Sequence, residues 1–308
     1  MKIGSLNMEN LFLHHKPGEE EENKKYRPLK SQEKCRSLAE AILDINADVM
    51  ALSEVGGEES LNTFKEKYLE DKYLHSLIQG NSDREIELGF LIRKDTGYTF
   101  EHLTHRNSEI PLNYRSEDPM LQGPWFMSRD IAELRLLKDG EEKLIILNVH
   151  LKSRLDVEGL DNESTMRRKA EVELLVDTYQ AIDKKFESKV PIMIMGDFNG
   201  HARPGGHPEF QRIHDETELK DVLEVMNLPK DERASHVYFD RLKTPIHDQL
   251  DYLFLPKSLQ SKVKIETSGL YYYKDQDGIP YKRPQFPHEG YALPSDHLPI
   301  VVDLDWNP

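Results

Sequence analysis

Six places along the chain set acids, amides or imidazoles where an apolar run stops. Asn7 and Glu9 follow Ile3-Gly4-Ser5-Leu6, and Glu54 follows Val49-Met50-Ala51-Leu52-Ser53. His150 follows Leu144 to Val149, while Asp197 and Asn199 follow Ile192-Met193-Ile194-Met195. Asp251 opens Tyr252-Leu253-Phe254-Leu255, and Asp296-His297 precedes Leu298-Pro299-Ile300-Val301-Val302. Carboxylates and amides are hard oxygen donors of the kind magnesium, manganese and calcium take. Imidazoles titrate near neutrality and can carry protons. Cys35 is the only cysteine, which excludes an internal disulfide and a thiolate zinc site. A metal here has oxygen or imidazole ligands. One such residue is ordinary capping or turn chemistry; six at strand ends are not.

Rigid strands must position these groups. The apolar runs predict strands at Lys2–Leu6, Asp48–Ser53, Leu88–Arg93, Ile131–Leu137, Lys143–Val149, Pro191–Met195, Leu250–Leu255, Val263–Thr267 and Pro299–Leu304. Leu144 to Leu147 and Ile192 to Met195 are apolar on both faces, as in strands buried between other layers. Cys35, Leu38, Ile42 and Ile45 recur at helical spacing after Ser31, a candidate N-cap. Met166 to Phe186 places Ala170, Leu174, Val176, Tyr179 and Ile182 near one helical stripe. No repeat or linker divides the chain, so residues 1–308 read as one α/β domain. Two sheets face to face with helices outside would bury this many apolar strands.

The 308 residues carry 41 Lys and Arg against 56 Asp and Glu, a formal charge of −15. That sign disfavours a protein that coats nucleic acid. It counts less against an enzyme meeting its polyanion briefly through a metal. Part of the excess is the run Glu19 to Glu22, read as a solvated loop. No apolar stretch approaches the roughly 20 residues of a membrane span. Ile3 to Asn7 is too short for a secretory leader core. The expected location is therefore cytoplasmic, or secreted if a leader has been trimmed.

The motif set resembles the endonuclease/exonuclease/phosphatase superfamily, which includes deoxyribonuclease I and exonuclease III. The matching pieces are Ile3-Gly4-Ser5-Leu6-Asn7, Leu52-Ser53-Glu54-Val55, Asn148-Val149-His150, Gly196-Asp197-Phe198-Asn199, Leu250-Asp251-Tyr252 and Ser295-Asp296-His297. They run in the family's order across nearly the whole chain. The resemblance implies a four-layer α/β sandwich, two mixed sheets flanked by helices, with the site at one end. It also implies metal-dependent phosphoester hydrolysis, with Mg2+ expected and Mn2+ or Ca2+ as alternatives.

Such hydrolysis requires charge neutralisation, an aimed water and a stabilised leaving group. Glu54 is the first choice of metal ligand, with Asn7 beside it for metal or phosphate. Glu9 matches an acidic metal-site position of the abasic-site endonucleases and is an optional ligand. Two readings are open for Asp197 and Asn199. On extended backbone they point the same way, one taking a proton from water and the other donating to a phosphoryl oxygen; alternatively they close an Asx turn. His297 binds phosphate or acts as acid–base, with Asp251 as its orienter by the family pattern, and Asp296 completes the carboxylates. His150 stands where deoxyribonuclease I, sphingomyelinases and 5-phosphatases place histidine and abasic-site endonucleases tyrosine, which argues against abasic-site repair. Arg129 resembles a phosphate-contacting arginine, and a solvated strand-edge arginine is the other reading. Glu85 and Glu87 are both near the position of a histidine-supporting glutamate, and neither aligns cleanly. His201, His207 and His214 are left out as surface residues.

Substrate class stays open between nucleic acid, bound transiently and favoured here, and a small phosphoester: a lipid head group, inositol phosphate or nucleotide. An inactive binding module on the same scaffold is the third reading. Lys152, Arg154, Arg167, Arg168 and Lys169, with Lys282 and Arg283, form a candidate basic rim. Tyr271-Tyr272-Tyr273 either stacks on bases or buries one face. Pro124-Trp125-Phe126-Met127 is the one short candidate for a membrane-docking loop.

Overall fold

The computed structural model describes residues 1–15, 18, 20, 25, 27–114, 118, 121–156 and 159–307. Most of the Glu19–Glu22 run lies outside them. The first part of the chain supplies β1 (Lys2–Leu11), β2 (Val49–Val55), β3 (Tyr73–Leu77), β4 (Glu87–Arg93) and β5 (Thr99–Thr104). The middle supplies β6 (Glu109–Ile110), β7 (Trp125–Phe126), β8 (Ile131–Lys138), β9 (Glu141–His150) and β10 (Ile192–Asp197). The last part supplies β11 (Lys220–Asp221), β12 (His236–Phe239), β13 (Pro245–Asp248), β14 (Asp251–Leu255), β15 (Gly269–Leu270) and β16 (Ile300–Asp303). The three longest helices described are α1 (Gln32–Ile45), α2 (Glu58–Tyr68) and α3 (Thr165–Lys185).

One six-stranded sheet runs β15-β16-β1-β2-β4-β3 and the other β11-β14-β10-β9-β8-β5. Each has one parallel pair at its centre, β1 with β2 and β9 with β10, and is otherwise antiparallel. A parallel pair needs a crossover; α1 lies in the first and α3 in the second.

Strand alternation builds the layers. Leu144 and Ile146 join Met193, Met195, Val49 and Ala51 in a core between the sheets that draws on residues from Ile3 to Leu304. Their neighbours Ile145, Leu147 and Val149 pack instead with Ala170, Val172, Leu175 and Val176 of α3. Met50 and Leu52 pack with Leu38 and Ile42 of α1. Burying each such side chain stabilises by roughly 1.5–3 kcal/mol. The result is helix, sheet, sheet, helix, as the doubly apolar strands predict. Ser31 caps α1, its hydroxyl accepting from the Lys34 amide at 3.2 Å.

Three local expectations change. Val263–Thr267 is no strand: Ile265–Thr267 forms a 3-10 turn and Val263 makes a lone bridge to Leu304. β1 and β2 extend through Asn7, Glu9 and Glu54, with register shifts at their ends, so these residues belong to strands rather than follow them. Trp125 and Phe126 form β7 and Met127 is buried, so that segment is no exposed apolar loop. No helix among the described residues is long and apolar enough to cross a membrane.

Candidate active site

The central strands of both sheets end at one place. Asp197 closes β10 in register with His150 of β9 and Asp251 of β14. Across the gap between the sheets, Asn7 donates its Nδ2 to Asp197 Oδ2 at 3.0 Å. His150 Nε2 lies 3.5 Å and His297 Nε2 3.9 Å from the same oxygen. His150 Nε2 also faces Glu54 Oε1 at 3.9 Å. A residue from each of the six motifs thus meets around one carboxylate. Asn148 tightens the junction, its Nδ2 donating to the Leu52 carbonyl at 2.9 Å.

His297 is the most firmly held member. Its Nδ1 lies 2.7 Å from Asp251 Oδ2, which also accepts from Ser235 Oγ at 2.7 Å. Ser295 Oγ donates to the Asn7 carbonyl at 2.8 Å and accepts from the His297 amide at 3.1 Å, tying the Asp296-His297 loop to β1. Burial disfavours a charged His297, but Asp251, Asp197 and Asp296 outweigh it and raise its pKa well above the ordinary range. His150 goes the other way: burial, then Arg129 and His297, lower its pKa well below that range. Asp197 is pushed up to about 6, first by burial and then by Asp251 and Glu54, against the pull of His297.

The Asx-turn reading of Asp197 and Asn199 describes their backbone, and the shared extended geometry does not. Asn199 has φ 50°, so the pair does not share an extended backbone. Asp197 Oδ1 accepts the Asn199 amide at 2.8 Å, as in an Asx turn, while Oδ2 stays in the site. The Asn199 side chain donates to the Leu151 carbonyl at 3.0 Å.

Glu54 sits at φ 59° beside the register shift of β2, with Oε2 accepting the Asn10 amide at 3.0 Å. Its side chain is 13% exposed. This partly open carboxylate, next to the Asn7 amide, suits a hard divalent cation. Three-carboxylate-or-imidazole clusters also occur at Asp197/Asp251/His297 and at His236/Asp296/His297. The first is buried and its Asp251 oxygen is already taken by His297 and Ser235, which favours proton handling over metal binding. Asp296 is half-exposed, with Oδ2 3.5 Å from His236 Nε2. Burial raises its pKa, and His236 and His297 more than reverse that, keeping it ionised. Glu9 Oε2 is paired with Lys30 at 3.1 Å and Lys34 at 3.0 Å, so its charge is compensated within the protein.

Arg129 is buried rather than solvated. Neither glutamate near β4 supports His150: Glu87 accepts the Gly80 amide at 2.8 Å, Glu85 pairs with Arg27, and His150 Nδ1 has no partner among the described residues. His201 and His207 are half-buried, the former bound to Asp248 at 2.9 Å. Of the basic rim, Arg168 is a core residue bonded to Glu209, and Arg283 donates to the Asp231 and Glu232 carbonyls. Tyr273 is buried and donates to the His297 carbonyl at 2.8 Å, which leaves it no face for a base.

No protein-family model matches the chain, and no curated protein sequence matches it. Solved structures do match along its length. D. rerio TDP2 complexed with single strand DNA product is similar at TM-score 0.61 and 16% identity, covering 98% of this chain and 97% of that one. An endonuclease/exonuclease/phosphatase family protein from Bacteroides thetaiotaomicron is similar at TM-score 0.57 and 15% identity, covering 98% and 96%. The chain shares the fold of these two structures. A mannosyl-6-phosphatase from the same bacterium shares this fold at TM-score 0.58 and 15% identity, covering 99% of this chain and 100% of that one.

Within this fold, Ser235 and His236 of this chain escaped sequence reasoning. Ser235 precedes β12 and His236 opens it, with its ring 4.5 Å from that of His297. No spacing links residue 236 to residue 297; only the alternation of Val237 and Phe239 could have marked a strand there.

Proposed function

We propose that the chain is a divalent-metal-dependent phosphoesterase whose preferred substrate is a nucleic-acid phosphodiester. The observation that carries this is the meeting of Asn7, His150, His297 and Glu54 around Asp197, groups drawn from both sheets. Their types match the demands of phosphoryl transfer. The DNA product in the D. rerio TDP2 structure supports the preference for a strand. The −15 charge favours a second reading, a small phosphoester.

Glu54, with Asn7 and Asp296 as partners, would hold the cation, Mg2+ first. When bound, it supplies charge neutralisation at the phosphoryl oxygens and the leaving oxygen. Asp197 Oδ2 takes the proton of the attacking water, and Asn7 Nδ2 holds that carboxylate in place. His297, kept protonated by Asp251, donates to a phosphoryl oxygen. His150 stays neutral and donates from Nε2. Arg129 offers a further phosphate contact.

Incubation of bis-p-nitrophenyl phosphate and of an oligonucleotide with Mg2+ or Mn2+ tests the reading. Turnover of both, lost in Asp197→Ala, is expected. Turnover of neither under any divalent ion would leave only the binding-module reading; turnover of the small ester alone would favour the second.

A further inference from the structure

Beside the centre, a cleft of about 610 Å3 opens between β7 and the start of α3. Arg84, Arg129, Lys152 and Arg167 line it. Arg129 is 5% exposed and its Nε has no hydrogen-bond partner among the described residues. Glu171 and Glu54 lend it opposite charge without bonding to it. A buried guanidinium left so is costly, and its donor fork fits a phosphate. Arg167 is held in place: it lies over the Trp125 ring at 5.5 Å and donates to Ser128 Oγ and the Phe126 carbonyl, each at 3.1 Å. Lys152 is half-buried, feels Arg129 and Arg167 against Glu171 and Asp83, and donates one Nζ proton to the Leu155 carbonyl at 2.9 Å, which leaves two donors.

The carboxylates in the lining do not cancel these cations equally. Asp161 accepts the Met166 and Arg167 amides, each at 2.8 Å. Asp156 accepts the Gly159 and Asp161 amides at 3.0 and 2.9 Å. Both keep their charge but are held in place by backbone amides, so three carboxylates stand against the four cations of the lining. Asp83 is the third, and it is exposed.

We propose that this cleft seats a second phosphate of the substrate, one sugar away from the scissile one, with Lys152 and Arg167 as its ligands. This rests on the phosphoesterase reading and narrows its substrate class. The chain as a whole carries −15, so phosphates beyond the cleft meet no net attraction. Affinity therefore steps once, between one phosphate and two, and then levels.

Calorimetry on the full chain with calcium tests this, using thymidine 5′-monophosphate, thymidine 3′,5′-bisphosphate and hexathymidylate as probes. The bisphosphate should bind about tenfold more tightly than the monophosphate. Lys152→Gln and Arg167→Gln should each remove most of that ratio, and hexathymidylate should gain no more than about twofold over the bisphosphate. Equal binding of the two nucleotides, a ratio untouched by both variants, or affinity that climbs with strand length overturns the proposal. Calorimetry needs no turnover, so failure to hydrolyse bis-p-nitrophenyl phosphate counts against the proposed activity alone.

Discussion

The two sheets repeat one device and use it differently. In each, a central parallel pair crosses over through a long helix and delivers polar groups at its end: Asn7 and Glu54 from β1 and β2, His150 and Asp197 from β9 and β10. The second pair stays in register to its last residues. The first breaks register beyond Asn7 and Ser53, and β2 also shifts against β4 beyond Leu52, with Glu9, Asn10 and Glu54 at positive φ. Bulges re-aim side chains. Here the irregular half presents a 13% exposed carboxylate and the regular half a 3% exposed one. Exposure separates a carboxylate that can meet a hydrated cation from one whose pKa burial lifts to about 6.

That contrast breaks most visibly in kinetics. Asp197→Ala should lower kcat about a thousandfold or more at every metal concentration, because no ion replaces a positioned base. Glu54→Gln should instead raise the metal concentration needed for half-activity about 10–100-fold, with much of the rate recovered at saturation. Metal titrations of both variants decide the matter. If excess metal rescues Asp197→Ala, or fails to rescue Glu54→Gln at all, the division of labour is wrong. Chelation should abolish wild-type turnover.

The regular half was the more legible one. Leu144 to Leu147 and Ile192 to Met195 are apolar at every position because both faces are covered, and their ends marked His150 and Asp197. The edge strands β3 and β5 stayed hidden: Tyr73-Leu74-His75-Ser76-Leu77 and Thr99 to Thr104 are mostly half-exposed, so no apolar face had to be written into them. α2 buries only Ser60, Leu61 and Phe64, too few for a stripe. Val263–Thr267 misled in the opposite sense, with Ile265 55% exposed. At the site, strand-end groups could be read. Partners supplied from other loops could not: Ser235 bonds Asp251 across 16 residues and Lys30 bonds Glu9 across 21.

Stability should separate the halves as well. A Cβ at Gly196 would lie 1.9 Å from the Val149 carbonyl oxygen, and φ there is +127°. A Cβ at Gly4 would meet Met50 Sδ at 2.4 Å, a side chain that can move. Gly196→Ala should therefore destabilise by about 2–4 kcal/mol, combining strain with a backbone clash. Gly4→Ala should cost about 1 kcal/mol. Urea midpoints compare them directly, and equal losses would mean the β9–β10 contact is not as close as described.

The smallest effect tests whether the irregular half is truly held in the left-handed region. Asn10 has φ 55°; its amide donates to Glu54 Oε2 and its Oδ1 accepts from Arg84 at 2.8 Å. Glycine keeps the amide and tolerates the dihedral, while losing the Arg84 contact and gaining freedom when unfolded, so Asn10→Gly should change stability by no more than about 0.5 kcal/mol. Valine keeps the amide too, yet its branched Cβ opposes positive φ, so Asn10→Val should lose about 1–3 kcal/mol. The gap between the two variants reads the backbone rather than the side chain, since both lack the Arg84 partner. Equal stability of glycine and valine here would mean the strand relaxes to ordinary extended geometry, and the partly open carboxylate of Glu54 would then need another explanation.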